Sequence, residues 1–325
     1  MKILLTGANG FVGSHIAETL SKAGHSVVTM VRASSNCRWL EGLELSVKTG
    51  DICRPESLKD AVTGVDAIIH CAGLVRAIDE ESYYRVNRDG TAALIQAALY
   101  HNPSLQKFVY ISSQAAMGPS PAFRPKAAGE LENPVSDYGK SKLAGEKELD
   151  RLHGKIPYTI LRPASVYGPR DKDIFIFFNL VHRGFRPRTQ RRRYIQMLFV
   201  KDLARAALAA VSGNGHTDNK TYFLAEETPY TFDDVGRTIA ASLNKTGIPL
   251  PLPDVIFHGA SFIAENLARL MNKPAVLNRQ KIAEMMQPYW IGDARPAQED
   301  MGIHFTKLEF GAKITYSWYR RNKWL

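Results

Sequence analysis

The sequence predicts an α/β protein: a doubly wound parallel sheet joined to a smaller, mostly helical C-terminal lobe. In the first 170 residues, short apolar runs alternate with helical patterns, and the first run leads into the glycine-rich segment TGANGFVG. After residue 170 this alternation fades. Strands that are apolar throughout and separated by helices are typical of a parallel sheet covered on both faces. Right-handed crossovers then wind such a sheet in both directions.

The predicted strands are runs of apolar and β-branched residues: KILLT, SVVTMVR, LSVKTG, DAIIHCA, KFVYISS and YTILRPA. The segments between them have helical patterns: FVGSHIAETLSKAG, PESLKDAV, a stretch from about residue 80 to residue 100, and the segment holding SDYGKSKLAGEKEL. Beyond residue 170, helices are predicted at VKDLARAALAAV, TFDDVGRTIAASL and VIFHGASFIAENLARLM.

The composition excludes several classes of protein. The longest apolar runs fall well short of the roughly 20 residues that a membrane span needs. The N-terminal segment lacks a signal-peptide pattern, so we expect a cytoplasmic protein. Three cysteines, without a CxxC or a Cys/His cluster, predict neither a disulfide framework nor a metal site.

The chain is strongly basic, with a formal net charge of +10. Basic residues cluster in residues 182–193 (HRGFRPRTQRRR) and in the segment YRRNKWL. Such charge favours a phosphate-bearing substrate or a peripheral contact with an acidic membrane surface; the alternative is a solvated loop and tail. No nucleic-acid module with base-reading aromatic residues is visible, so we expect no nucleic-acid partner.

The segment TGANGFVG predicts a phosphate-binding turn between the first strand and the first helix. Its glycines let the backbone turn sharply and approach a pyrophosphate, while the helix N-terminus faces the anion. The spacing is GxxGxxG rather than the GxGxxG of the usual fingerprint. We predict a dinucleotide-binding Rossmann domain over residues 1–170, with residues 195–225 returning to it, and mainly a substrate-binding lobe over residues 171–325. The residues expected at the cofactor here are Gly7, Asn9, Gly10, Phe11, Val12 and Gly13.

Arg32 stands at the end of the second strand, where the fingerprint expects an acid for the ribose hydroxyl. A guanidinium can instead hold a 2′-phosphate as a fork, which predicts NADP in preference to NAD, with NAD still possible. Alternatively, Arg32 is solvated and discriminates little. Asp51, after the third strand, is expected to accept from the adenine amino group. The other residues expected along the cofactor are Ile52, Cys71, Ala72 and Gly73, although Cys71 also fits a buried core position.

Six motifs occur in a consistent order. They are TGANGFVG, GDI at 50–52, HCAG at 70–73, ISS followed by MG at 111–118, YGKSK at 138–142, and LRPASVYGPR at 161–170. With them the chain resembles the extended short-chain dehydrogenases/reductases, also called the epimerase/dehydratase family, over about residues 1–212. Details such as VR after the second strand resemble the dihydroflavonol-reductase and 3β-hydroxysteroid-dehydrogenase branch.

The resemblance implies a catalytic set of Ser113, Tyr138, Lys142 and Asn87. Ser112 is the neighbouring candidate for the serine, and a plain helix-surface amide is the alternative for Asn87. A nearby ammonium is expected to lower the pKa of the phenol from its ordinary value of about 10, so that Tyr138 acts as general acid or base. Ser113 would donate a hydrogen bond to the substrate oxygen.

Gln114 and Ala115 follow the serine, and neither side chain can act as an acid or a base. Sugar dehydratases resembling this fold carry an Asp-Glu pair at these positions, and epimerases acting next to a carbonyl need an added base there. Both of these reactions are therefore disfavoured. Met117, where the family usually has Tyr, favours an apolar substrate. We therefore expect an NADP-dependent ketone reductase or alcohol dehydrogenase acting on a small molecule. The alternatives are a nucleotide-sugar 4-epimerase, whose diphosphate the arginines at 183–193 could hold, and a non-catalytic NADP-binding protein.

The loops after the strands are expected to hold the ligands. After the sixth strand, Pro163, Ser165 and Val166 are predicted at the cofactor. The predicted substrate contacts are Val75, Met117, Tyr167 and Arg170, although Tyr167 fits a core position equally well. The resemblance also implies a homodimer, formed through a four-helix interface that includes the Tyr-Lys helix.

Overall fold

A seven-stranded parallel sheet forms the centre of the protein. The computed structural model describes residues 1–213, 215–271, 273–275 and 278–325. The first six strands of the sheet are β1 (Lys2–Thr6), β2 (Ser26–Val31), β3 (Leu45–Thr49), β4 (Ala67–His70), β5 (Lys107–Ile111) and β6 (Tyr158–Pro163). Each strand pairs in parallel with its neighbour, as β1 does with both β2 and β4.

The helices that cover these strands begin with α1 (Phe11–Lys22) and α2 (Lys59–Val62). Next come α3 (Glu80–Tyr84) and α4 (Gly90–His101), which one π-helical turn (Arg85–Asp89) joins, so the single helix predicted over about 80–100 is interrupted. The last two are α5 (Gln114–Met117) and α6 (Asp137–Glu148). Short 3₁₀ turns lie at Pro55–Ser57 and Leu149–Leu152.

The C-terminal part mixes helices with short strands. Its strands are β7 (Ser165–Tyr167), β8 (Phe185–Thr189), β9 (Tyr194–Ile195), β10 (Met197–Phe199), β11 (Lys220–Leu224), β12 (Tyr230–Thr231), β13 (Ile248–Leu252) and β14 (Tyr289–Trp290). Its helices are α7 (Phe175–His182), α8 (Val200–Ser212), α9 (Phe232–Ser242), α10 (Asp254–Leu270), α11 (Arg279–Met285), α12 (Arg295–Met301) and α13 (Leu308–Arg321).

The strand order of the main sheet is β11-β6-β5-β4-β1-β2-β3, so β11 returns from the C-terminal part to pair with β6. Helix α8, just before β11, packs against α1. The order reverses between β1 and β4, which opens a crevice at the carboxyl ends of these two strands, where ligands bind in this architecture. The structure therefore confirms the predicted doubly wound parallel sheet.

Neighbouring residues of each strand pack on opposite faces of the sheet. Leu5 and Ile69 belong to the core on one face, whereas Leu4 and Ile68 belong to the core on the other. Both faces are covered by helices, which explains why the strands are apolar throughout. A third core, which includes Phe178 and other aromatic residues, lies in the C-terminal lobe. Within the ranges that the structure describes, no helix is both long and apolar enough to cross a membrane.

Candidate active site

The glycine-rich loop between β1 and α1 fits the pyrophosphate of a dinucleotide. Gly7 has a φ of +72°, and a Cβ there would lie 2.7 Å from the backbone nitrogen of Ala72. A Cβ at Gly13 would lie 2.1 Å from the Gly7 carbonyl oxygen. Gly10 begins α1 without a side-chain cap, and the first turn holds no acid. The amides of residues 11–13 therefore point, with the helix dipole, toward an anion that side chains do not replace.

Arg32 follows β2 with an exposed side chain. Val31 at the end of β2 pairs with Thr49 at the end of β3, so Arg32 and Asp51 leave the sheet at the same end. Burial raises the pKa of the Cys53 thiol there. Asp51 accepts the Cys53 backbone N–H at 2.9 Å, whereas Ile52 is buried beneath Gly90. The roles of these residues in binding the cofactor stay predictions.

The segment after β4 passes between the glycine-rich loop and α6. Ala72 donates its backbone N–H to the Thr6 hydroxyl at 3.1 Å. A Cβ at Gly73 would lie 3.1 Å from the Asn87 amide oxygen and 3.7 Å from the Lys142 ammonium nitrogen. Burial raises the pKa of the Cys71 thiol to about 12. The side chain is half-buried and packs against the core of one sheet face, and its contact with the cofactor stays a prediction.

His70 ends β4 and lies fully buried between two hydroxyl groups that sequence reasoning did not single out. Its ring is 2.7 Å from the Thr6 hydroxyl and 3.1 Å from the Thr91 hydroxyl. Burial lowers the pKa of His70 to about 3, so the ring is neutral at pH 7 and can both donate and accept a hydrogen bond. Thr91 in turn donates to the Asn87 carbonyl at 2.7 Å.

Asn87 lies in the π-helical turn with a side chain only 1% exposed. Its carboxamide accepts from the Leu74 N–H at 2.7 Å and donates to the Leu74 carbonyl at 3.0 Å. It also donates to the Ser141 hydroxyl at 2.9 Å. Asn87 is therefore no helix-surface amide, because it joins the loop after β4 to helix α6.

Helix α6 begins after Ser136, whose hydroxyl accepts the Gly139 N–H at 3.0 Å. This start places Tyr138 and Lys142 one turn apart on the same side of the helix. The Lys142 ammonium donates to the Ile111 carbonyl at 2.8 Å and lies 4.1 Å from the centroid of the Tyr110 ring. Burial lowers the pKa of Lys142 to about 8, so the side chain is still mostly charged at pH 7.

Burial raises the pKa of Tyr138 above its ordinary value, while a hydrogen bond with the Ser113 hydroxyl acts in the opposite direction. The expectation that Lys142 lowers this pKa overall is therefore wrong, because burial of the phenol dominates and the ammonium is bound to the Ile111 carbonyl. The phenol of Tyr138 keeps its proton at neutral pH. Ser113 is also the serine that faces it, since Ser112 donates instead to the Glu146 carboxylate.

Glu146 and Arg162 form a buried ion pair behind these residues, with both side chains 4% exposed. The guanidinium contacts the carboxylate at 3.0 and 2.6 Å, and it also lies 3.1 Å from the Met117 sulfur. Met117 is fully buried, so its predicted contact with substrate is wrong. Nothing in the sequence indicates that Glu146, on helix α6, forms an ion pair with Arg162, in strand β6.

The residues after β6 divide into two groups. Tyr167 is 1% exposed and packs in the core of the lobe, so the core interpretation is right and the substrate contact is wrong. Arg170 binds Glu18 of α1 at 3.1 Å, so its charge is not free for a substrate. Ser165 and Val166 pair with β10, and Pro163 ends β6. The contacts of these three residues with the cofactor stay predictions. In the loop after β4, Val75 is exposed, and its contact with the substrate also stays a prediction.

Comparison with known proteins gives both reductases and epimerases. Residues 3–225 match the model of the NAD dependent epimerase/dehydratase family. The chain is 29% identical to the ceramide reductase of Caulobacter vibrioides (strain NA1000 / CB15N), over 99% of this chain and 96% of that protein. It is 27% identical to the UDP-glucose 4-epimerase of Vibrio cholerae, over 77% of this chain and 78% of that protein.

A solved structure of UDP-glucose 4-epimerase from Thermotoga maritima, with UDP-glucose, is similar in fold. The TM-score is 0.81 at 21% sequence identity, and the match covers 99% of this chain and 100% of the other. The family model spans well over half of the 325 residues. The chain therefore belongs to the NAD-dependent epimerase/dehydratase family, the extended short-chain dehydrogenases/reductases, and is an NAD(P)-dependent reductase or epimerase of that type.

Proposed function

We propose that the protein is an NADP-dependent oxidoreductase that reduces a ketone to a secondary alcohol, with Tyr138 as the general acid. The observation that carries this proposal is the geometry of the site: Tyr138 is one helical turn from Lys142, whose ammonium lies beside Gly73 at the crevice, and Ser113 rather than Ser112 faces the phenol. A phenol that keeps its proton at neutral pH is suited to donate one to a carbonyl oxygen.

The residues of the chain have separate tasks in this reaction. When bound, the reduced dinucleotide supplies the hydride that the carbonyl carbon accepts. Tyr138 gives its proton to the carbonyl oxygen, and Ser113 donates a hydrogen bond to that oxygen as negative charge develops. Lys142 would hold the nicotinamide ribose, and Asn87 holds the loop after β4 against α6.

The preference for NADP is supported by Arg32. The side chain is exposed at the end of β2, and no carboxylate in the described part of the chain forms an ion pair with it. A guanidinium at this position is free to bind a 2′-phosphate in a bidentate manner. The glycine-rich loop and the segment 70–73 would hold the rest of the dinucleotide.

An apolar carbonyl compound is favoured over a nucleotide sugar, because several of the arginines that could hold a diphosphate are already paired. Arg193 contacts Asp254 at 2.6 Å, and Arg186 contacts Asp233 at 3.6 Å. The loop after β4 exposes Val75 and Ile78. The match of nearly the whole chain with a protein named ceramide reductase supports the same substrate class.

A nucleotide-sugar 4-epimerase is the second candidate, because two of the similar proteins are UDP-glucose 4-epimerases. The test is to follow loss of NADPH or NADH absorbance against long-chain ketones, cyclic ketones and UDP-sugars. We expect net oxidation of NADPH by an apolar ketone, faster than with NADH. Interconversion of a UDP-sugar without net change of the cofactor would overturn the proposal in favour of epimerisation. A homodimer and a cytoplasmic location stay expectations from the sequence.

A further inference from the structure

Helix α10 turns an apolar face to the outside of the lobe. Val255, Ile263 and Leu270 are 73%, 60% and 86% exposed. The spacing of the exposed apolar residues, at i, i+3, i+4 and i+7, places them on one side of the helix. The full set is Val255, Ile256, Phe262, Ile263, Leu267 and Leu270. Such a continuous apolar face on a protein surface marks an interaction site.

The two acids of α10 add no free negative charge to this face. Asn266 donates to the Phe262 carbonyl of its own helix at 2.9 Å. Both acids of the helix are ion-paired: Asp254 contacts Arg193 at 2.6 Å and Glu265 contacts Arg279 at 3.2 Å. The Arg279 guanidinium also lies 5.5 Å from the centroid of the exposed Phe262 ring. No carboxylate of α10 is therefore left to repel an anionic partner.

A basic segment adjoins the start of α10. Strand β13 leads directly into the helix and pairs with β8, where Arg188 lies beside Pro251. Arg188 and Arg192 are exposed, and neither forms an ion pair with a carboxylate among the residues that the structure describes. Arg191, 82% exposed, approaches Asp254 at 3.8 Å. Positive charge thus borders the apolar face at the N-terminal end of the helix.

We propose that the apolar face of α10 and the arginines of residues 188–192 form a docking surface for an anionic lipid bilayer. An amphipathic helix with apolar residues on one side and basic residues beside it lies in the plane of the interface, with its apolar face among the acyl chains. Each arginine near an anionic surface raises the affinity roughly fivefold. The inference rests on the proposed function for its purpose, since an apolar ketone partitions into such a bilayer.

Charge favours a bilayer over a second copy of the chain. In a two-fold symmetric dimer through this face, the same patch of both copies would meet. Asp254 and Glu265 of the facing helix are already ion-paired, so a second copy of α10 would bring no free acid to meet Arg188 and Arg192. An anionic headgroup layer complements these arginines instead.

The test is flotation of the full-length protein with vesicles of phosphatidylcholine alone and of equal parts phosphatidylcholine and phosphatidylglycerol. We expect binding to the mixed vesicles that weakens as salt is added. The double variant Ile263→Glu/Leu267→Glu should lose at least about tenfold in affinity, because two apolar side chains no longer enter the acyl region. Arg188→Gln/Arg192→Gln should weaken binding to the mixed vesicles in particular.

A matched control is Phe310→Glu/Ile314→Glu, which places two exposed acids with the same spacing on helix α13. It changes the net charge by the same amount, and we expect it to bind as the wild type does. Equal binding of the Ile263→Glu/Leu267→Glu variant, or no binding of the wild type, would overturn the proposal. So would a wild-type dimer in sedimentation that becomes monomeric in that variant.

The two proposals fail separately. Turnover of a short, water-soluble ketone with NADPH and no vesicles present tests the proposed function alone, and Ile263→Glu/Leu267→Glu should leave it unchanged because neither side chain belongs to the catalytic set. Vesicle binding without any ketone reduction would support the docking surface and contradict the proposed reaction. Ketone reduction without vesicle binding would support the proposed reaction and contradict the docking surface.

Discussion

The Asn87 carboxamide donates a hydrogen bond to the Ser141 hydroxyl at 2.9 Å, and through this contact the loop after β4 is fixed to the helix that carries Tyr138 and Lys142. The same carboxamide holds both backbone groups of Leu74. This one buried side chain therefore joins the loop beside the crevice to helix α6, in addition to the contacts that Lys142 and Glu146 make with the sheet.

Replacing Asn87 by Ala should lower kcat by roughly tenfold to a hundredfold, because misplaced catalytic groups lose the benefit of orientation. Loss of the buried hydrogen bonds should also reduce the free energy of unfolding by about 1–3 kcal/mol. Asn102→Ala is the matched control, since Asn102 is similarly buried and donates to the carbonyls of Val62 and Val65. These residues precede β4 and β5 at the amino ends of the strands, opposite the crevice. An equal loss of kcat in both variants would show that Asn87 acts only on stability.

Replacing Tyr138 by Phe should lower kcat by about a hundredfold to ten-thousandfold, the usual contribution of a general acid. Binding of NADPH, followed by quenching of protein fluorescence, should change little. Tyr83→Phe is the control, because the centroid of this ring lies 6.2 Å from that of Tyr138 and its hydroxyl has no proposed part in the reaction. Undiminished turnover of Tyr138→Phe would remove this residue from the mechanism.

Replacing Arg32 by Ala should weaken NADPH by about tenfold to a hundredfold and leave NADH almost unaffected, since hydrogen bonds to a charged phosphate contribute about 1.5–3 kcal/mol. The apparent KM values for both cofactors measure the effect. Arg38→Ala is the control, because this exposed arginine lies over the Trp39 ring at 4.1 Å. A wild type that already prefers NADH would contradict the assignment of Arg32.

The protein should lose stability on acidification partly through His70. Its pKa is about 3 in the fold and 6.5 ordinarily, so between these values the unfolded chain binds one more proton than the folded protein. The stabilising contribution is complete above about pH 6.5 and is lost as the pH falls toward 3. In that window His70→Gln should reduce the pH slope of the unfolding free energy by about 1.4 kcal/mol per pH unit.

Urea unfolding at a series of pH values measures this slope. His15, whose pKa burial lowers to about 4, should give a second and separate reduction when it is replaced by Gln. Slopes that stay at the wild-type value in both variants would show that neither ring is kept neutral by burial.

The main sheet could be predicted because its strands are apolar on both faces, a pattern that Leu4 and Leu5 illustrate by entering two different cores. The placement of Tyr138 and Lys142 on one side of a helix could be predicted because their spacing follows from helical geometry. Both inferences rest on residues that are close together in the sequence or on the regular periodicity of strands and helices.

What could not be predicted depends on contacts between distant parts of the chain. Met117 follows the catalytic serine in sequence, yet Arg162 from β6 covers it. Tyr167 leaves the end of a strand and is then enclosed by the lobe, where a side chain at Gly311 would collide with its hydroxyl. The direction of the Tyr138 pKa likewise follows from burial, which no local pattern reports.

The π-helical turn at Arg85–Asp89 makes the position of Asn87 depend on the number of residues in this segment. Such a turn holds one residue more than an α-helix would, and the Asn87 carbonyl within it accepts from the Thr91 hydroxyl. Deleting one residue here would return the turn to a regular α-helix, so the flanking helices could keep their positions while Asn87 lost its contacts with Leu74 and Ser141. Relatives that keep these contacts should therefore also keep the length of this turn.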